Sequence, residues 1–193
     1  MALSTGSKKI KTAVFISGTG SNLRSLIRFS KLKKSPISIK LIVSNNPKSK
    51  GLAFGKIYKI RKNIFNFKKQ AIAEKEILLK LKKNKISLIC LAGFMKILSK
   101  NFILRFKGQI LNIHPSLLPK YKGLNTHEKA IKNRDKFSGC TVHFVTSKLD
   151  SGKIIIQKEV RIKKNDTPKS LAKRILSQEH KLYPKAILKI SNL

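Results

Sequence analysis

At 193 residues the chain has the size of one domain and can bury a full three-layer core; with no linker cluster and no repeat, residues 1–193 read as a single unit. Its 44 Lys and Arg against 8 Asp and Glu leave a formal net charge of +36, which attracts anions, yet the excess is scattered and Lys, Ile and Asn are all abundant. Drift toward A/T-rich codons therefore explains the charge better than a dedicated nucleic-acid face, and the distant pair Cys90 and Cys140 argues against a disulfide framework or a CxxC metal site and for a reducing compartment.

The lead-in, Met1 to Lys9, is polar and basic and lacks the apolar core of a secretion signal. Thr12 to Ser17, TAVFIS, reads as a buried strand running into Gly18, Thr19, Gly20, Ser21 and Asn22 before an amphipathic helix from Leu23 to Phe29. Such a turn aims free backbone N–H groups and the positive end of the helix dipole at one point, which suits an anion. Leu23 stands where a dinucleotide fingerprint needs its third Gly, and no Lys-Ser/Thr pair follows as in a P-loop. A single phosphate is the expected ligand, with a plain tight turn capped by Ser21 as the alternative.

Ile37 to Ser44 is the second expected strand, Lys50 to Tyr58 a short helix, and Ile64 to Phe67 a short strand. Gln70 to Asn84 follows as a helix with Ala73, Ile77, Leu78 and Leu81 on one stripe, and Ile86 to Ala92 as a buried strand. The longest apolar run, Ile86 to Met95, is broken by Lys96 and is too short to cross a bilayer, so a soluble, cytoplasmic protein is expected. Strands and helices alternating at this interval predict a parallel sheet covered on both faces, with ligands outside the carboxyl ends of its strands.

Ser99 caps a short helix, Gln109 to Ile113 is the next strand, Pro115 to Gly123 a constrained loop, and Thr126 to Lys132 a helix. Gly139 to Thr146 and Lys153 to Ile162 alternate in polarity around a turn of Leu149, Asp150, Ser151 and Gly152, an antiparallel tail. Asp166, Thr167 and Pro168 open a last helix to about Lys189, on which Glu179 interrupts the apolar stripe of Ala172, Ile175 and Leu176. The expected fold is α/β, a Rossmann-like three-layer arrangement whose mostly parallel sheet ends in antiparallel C-terminal strands.

Few carboxylates and 4 histidines restrict any acid–base site. Asn112 and His114 flank Ile113 at a strand's end; if the strand stops there, the loop lets both point into one cleft. The amide could hold a developing oxyanion while the imidazole moves a proton. His127, His143 and His180 lie on a helix, in a strand and beside Glu179, where a lone histidine is more often structural. Asp150 is by itself a turn former, and becomes functional if its turn folds over the strand ends and reaches His114. No nucleophile elbow and no metal-ligand spacing occurs, so direct transfer by acid–base and oxyanion help is expected, without a metal or a covalent intermediate.

SGTGSNL, LAGFMKIL, LNIHPSLLPKYKGLNTH, VHFVTSKLDSG and QEHKLYP, in that order and at compatible distances, resemble the phosphoribosylglycinamide formyltransferases from about Lys11 to Ile190. The resemblance implies formyl transfer from 10-formyltetrahydrofolate, as co-substrate, to the amine of 5-phosphoribosylglycinamide (GAR) in purine biosynthesis. Carried over by motif, Asn112, His114 and Asp150 look like the catalytic trio, with His143 as a helper. Gly20, Ser21 and Asn22 look like the phosphate cradle and Glu179 like the ligand of the ribose hydroxyls. Met95, Lys96, Ile97 and Leu98 look like the wall of the pterin pocket, which Asn112 also borders, opposite the loop from Thr146 to Asp150. Gln70 falls where the family often has an Arg for the folate tail; Lys68 and Lys69 beside it can supply charge but not a bidentate fork. Asn125 stands where a His is common.

The similar methionyl-tRNA formyltransferases continue differently after the NIHPSLLP core and carry a further C-terminal domain, and the formyltetrahydrofolate hydrolases an N-terminal one; this chain is expected to end after one domain. The partners implied are the two small molecules, with no specific nucleic acid and no membrane, for a monomer or homodimer. The other reading, drawn from charge alone, is a basic nucleic-acid-binding protein on a formyltransferase fold.

Overall fold

The computed structural model describes residues 9–191, so the expectations for the lead-in ahead of Lys9 lie outside it. In chain order the strands are β1 (Ile10–Ile16), β2 (Ile37–Ser44), β3 (Arg61–Ile64), β4 (Leu88–Leu91), β5 (Gln109–His114), β6 (Phe137–Phe144) and β7 (Ile154–Arg161). The helices are α1 (Ser21–Ser30), α2 (Ala53–Ile57), α3 (Gln70–Lys83), α4 (Lys100–Arg105), α5 (Thr126–Lys132) and α6 (Pro168–Ser191), with single 3-10 turns at Lys50–Leu52 and Phe67–Lys69. All strands join one seven-stranded sheet in the order β3-β2-β1-β4-β5-β6-β7. It is parallel from β3 to β5 and antiparallel from β5 to β7, the mixed α/β sheet expected.

The apolar run of β1 is buried on both sides, as a central parallel strand requires. Val14 and Ile16 face one core with Leu23, Leu26 and Ile27 of α1 and Ile175, Tyr183 and Ile187 of α6. Ala13 and Phe15 face the other with Ala73, Ile77 and Leu81 of α3 and Phe102 of α4. α6 continues through Pro184, whose ring removes the N–H that would bond the His180 carbonyl. That carbonyl is instead satisfied by the Ser25 hydroxyl of α1, which donates to it at 2.8 Å, so the proline also fixes how the two helices dock.

One strand is displaced from its expected place. β3 is the Arg61–Ile64 segment, largely exposed at the sheet edge, where a strand carrying Arg61 and Lys62 is tolerated. Phe65 and Phe67, read as strand residues for their apolar character, instead pack into the core beyond its end. Residues 50–58 also split, into a 3-10 turn and α2.

Strand order reverses between β1 and β4, since β2 and β3 lie on one side of β1 and the remainder of the sheet on the other. The chain leaves β1 for α1 on one face and β4 for α4 on the opposite face. The two loops diverge and open a crevice at the carboxyl ends of the strands, the place where open α/β sheets bind ligands.

Candidate active site

Three strand ends meet this crevice. The loop after β1 leads into α1, and Gly20 ends it at φ 74° as the N-cap residue, with no side-chain cap. Ser21, expected as a possible cap, is the first helical residue instead. The first intrahelical bond runs from the Arg24 N–H to the Gly20 carbonyl, so the N–H groups of Ser21, Asn22 and Leu23 have no helical partner. A Cβ at Gly20 would lie 2.7 Å from the Gly51 Cα, so this turn holds its shape only because two glycines cross. Asn22 is buried and donates through Nδ2 to Glu179 Oε2 at 2.6 Å, while its Oδ1 has no partner. Burial pushes the Glu179 carboxyl above its ordinary value, and the Asn22 hydrogen bond opposes this only in part. Tyr183, one helical turn beyond Glu179, donates its buried hydroxyl to the carbonyls of Leu91 and Leu111, each at 3.0 Å. The α6 face bearing Glu179 is thereby fixed against the ends of β4 and β5.

β5 carries Asn112 and His114. The strand continues through His114, so the loop start expected after Ile113 is not what unites the two side chains; residues two apart on a strand share a face. β6 pairs antiparallel with β5 and sets His143 opposite Asn112. The hairpin after β6 brings Asp150, at φ 45°, over this face. Asp150 Oδ2 lies 3.4 Å from His114 Nδ1 and accepts the Gly123 N–H at 2.9 Å. Its Oδ1 accepts from Asn112 Nδ2 at 3.4 Å and lies 3.6 Å from His143 Nε2. Burial pushes the Asp150 carboxyl up, but the adjoining His143, the Gly123 N–H and the positive field of His114 outweigh it and hold the group below its ordinary value.

Proton positions follow from the acceptors. His143 Nδ1 is 2.8 Å from the Phe144 carbonyl and carries a proton, so in the neutral ring Nε2 accepts from Asn112 Nδ2 at 3.2 Å. His114 Nε2 is 2.8 Å from the Tyr121 carbonyl and carries a proton as well. Any second proton on His114 sits at Nδ1, facing Asp150. Asn112 Nδ2 and the Gly123 N–H donate to the carboxylate, and His114 joins them only when its Nδ1 also carries a proton.

The loop after β4 carries the expected pterin wall. Met95 and Ile97 are exposed at 65% and 66%, and Lys96 is exposed with them, whereas Leu98 is buried in the core rather than on the open side of the loop. Gln70, expected to meet the folate tail directly, is exposed but spends its Nε2 donors within the chain, on the Ile97 carbonyl at 2.9 Å and on Glu74 Oε1 at 2.8 Å. Glu74 is buried and also accepts the Ser99 N–H at 2.8 Å and the Ser99 hydroxyl. Glu74, Tyr121 and Gly123 are thus site-supporting residues that the sequence reading passed over. Glu74 could have been found, because it breaks the apolar stripe of α3 as Glu179 breaks that of α6. Tyr121 and Gly123 act through backbone atoms, which leave no side-chain signal. Among the described residues no group of three or more His, Cys, Asp or Glu is placed to hold a metal ion.

The family model described as formyl transferase matches residues 10–187. The chain belongs to the formyltransferase family. Among formyltransferase relatives, a phosphoribosylglycinamide formyltransferase of Haemophilus influenzae is 41% identical over 180 residues, covering 92% of this chain and 85% of its own. The human trifunctional purine biosynthetic protein adenosine-3 is 42% identical over 183 residues, and there the match spans 93% of this chain but only 18% of the longer protein. A solved phosphoribosylglycinamide formyltransferase of Brucella melitensis superposes with a TM-score of 0.90 at 41% identity, over 95% of this chain and 96% of its own.

Proposed function

We propose that the chain transfers the formyl group of 10-formyltetrahydrofolate to the amine of GAR, giving formyl-GAR in purine biosynthesis. The observation that carries the reading is one carboxylate, Asp150, within reach of Asn112, His114 and His143 beside an uncapped helix N-terminus. The substrates named for the relatives carry a phosphate and an acyl carbon, and these are what an N–H cradle and an oxyanion donor set can recognise.

In this reading the N–H groups of Gly20, Ser21 and Asn22 take the phosphate of GAR and Glu179 takes its ribose hydroxyls. The glycinamide amine attacks the formyl carbon, forming the new C–N bond, and negative charge collects on the formyl oxygen. Asn112 Nδ2 and a protonated His114 stabilise that charge. The amine gives up its proton to Asp150, which returns it to the folate nitrogen as the tetrahedral carbon collapses and the bond between that nitrogen and the formyl carbon breaks. His143 keeps Asn112 oriented through its Nε2. The pterin lies against Met95, Lys96 and Ile97, with Leu98 behind them, Asn112 at its edge, and Gln70 acting through the Ile97 carbonyl. Residues 1–193 make up one formyltransferase domain, acting in the cytoplasm as a monomer or homodimer without a metal.

Purified protein given both substrates should produce tetrahydrofolate in proportion to formyl-GAR, followed by the absorbance of the folate product. Folded protein with no turnover, and with tight duplex binding that survives physiological salt, would replace this reading with the nucleic-acid one.

A further inference from the structure

Ser17 sits where β1 ends, at the point of the sheet where the two loops diverge, and spends every polar group it has on joining them. Its N–H donates to the Gly93 carbonyl at 3.1 Å, and its Oγ accepts the Met95 N–H at 2.7 Å. The same hydroxyl donates its proton to Asn45 Oδ1 at 2.5 Å, and the Ser17 carbonyl accepts Asn46 Nδ2 at 3.1 Å. One residue therefore ties the start of the phosphate loop to the loop after β4 and anchors both on the end of β2. The next residue, Gly18, has its carbonyl held by the Gly51 N–H at 3.1 Å and the Ser49 hydroxyl at 2.7 Å, so the phosphate-loop side is firmly based. The far end of the loop after β4 is clamped by Gln70 and Glu74 through Ile97 and Ser99. Between the two clamps only the side chains of Met95, Lys96 and Ile97 stand free. A backbone pinned at both ends cannot settle around a ligand without pulling on its anchors, and the anchor nearest the phosphate loop is Ser17.

We propose that Ser17 is a positioning residue that couples the two substrate sites, so that GAR bound at the β1 loop tightens folate at the β4 loop. The proposal rests on the assignment of those two loops to GAR and folate given above. By linkage the effect is reciprocal: folate tightens GAR by the same factor, because ordering one loop lowers the cost of ordering the other.

GAR and tetrahydrofolate, which lacks the formyl group and cannot react, allow the coupling to be measured at equilibrium by calorimetry. In the wild-type protein, saturating GAR should lower the Kd of tetrahydrofolate at least about fivefold, with the reciprocal titration giving the same factor. In Ser17→Ala the coupling should fall below about twofold while each ligand alone still binds. Ser17→Thr, which keeps the hydroxyl, should restore it. A merely structural role would weaken both ligands alike and leave the ratio untouched. Should Ser17→Ala not fold, Asn45→Ala, which removes only the acceptor of the Ser17 hydroxyl, should show reduced coupling. Retained coupling in these variants, or two ligands that bind the wild type independently, overturns the proposal alone. Failure of either ligand to bind the wild type overturns the loop assignment and the proposal with it.

Discussion

Glu179 is a buried carboxyl kept at a cost to the fold. It is 7% exposed, bonded to Asn22 and raised by burial. A carboxyl whose folded value lies above its unfolded one contributes fully below the unfolded value of about 4.5 and loses that contribution as pH rises through the folded value. The ionised form of the group is therefore a net burden on the fold. Glu179→Gln should raise stability at pH 7 by about 1 kcal/mol in chemical denaturation, with the gain vanishing below pH 4.5. With Glu179 in its proposed place against the ribose hydroxyls, the same change should raise the KM for GAR at least about tenfold, because the carboxylate acceptor is lost. Asn112, His114, Asp150 and Glu179 were all legible in the sequence, because a polar residue at a strand end, in a turn before Gly or on an apolar stripe breaks a local pattern. The Tyr121 carbonyl and the Gly123 N–H were not, since every residue has such groups and only the folded loop aims them. Ser17 was read as the last residue of a strand, and its hydroxyl gained its partners from the loops after β2 and β4, far away in the chain.

Among the elements, the parallel strands and the long helices were legible because their apolar residues repeat at the periods of strand and helix. β3 was not, because an edge strand of Arg61, Lys62, Asn63 and Ile64 has no apolar face to announce it. Its neighbours Phe65 and Phe67 carried the apolar signal for a different reason, filling the core beneath α3 and α4. The Gly-rich turn into α1 was legible as a turn, but not its dependence on a second one: Gly20 and Gly51 meet backbone to backbone. Gly20→Ala should therefore cost on the order of 2 kcal/mol, combining a left-handed φ with a Cβ that must displace Gly51. Steady-state kinetics should show a raised KM for GAR with the KM for folate nearly unchanged. An equal rise in both would mean that the substitution had disturbed the whole sheet end.

At the level of the whole molecule, the charge that dominates the composition is even less balanced than the sum suggests. Glu74, Asp135, Asp150, Asp166 and Glu179 are all engaged in internal hydrogen bonds or ion pairs, which leaves Glu76, Glu128 and Glu159 exposed among the lysines. Such a surface repels itself, and salt relieves the repulsion as the Debye length falls from about 30 Å at 10 mM to about 8 Å at 150 mM. Thermal unfolding should therefore shift upward by at least about 3 °C between these conditions, equivalent to about 1 kcal/mol. A midpoint indifferent to salt would show that the lysines are spaced widely enough to ignore one another. The same field draws anionic substrates toward the crevice, so kcat/KM should fall with salt even as stability rises.

These scales converge on the carboxylate of Asp150, held over a strand by a hairpin and shared by an amide and two imidazoles. Formyl transfer by His114→Ala, followed through the folate product at saturating GAR and folate, is the most direct test of that arrangement. The arrangement requires kcat to fall at least about a hundredfold while Kd for GAR stays within about threefold of wild type. A His114→Ala protein that folds, binds GAR and turns over at near wild-type rate would contradict it.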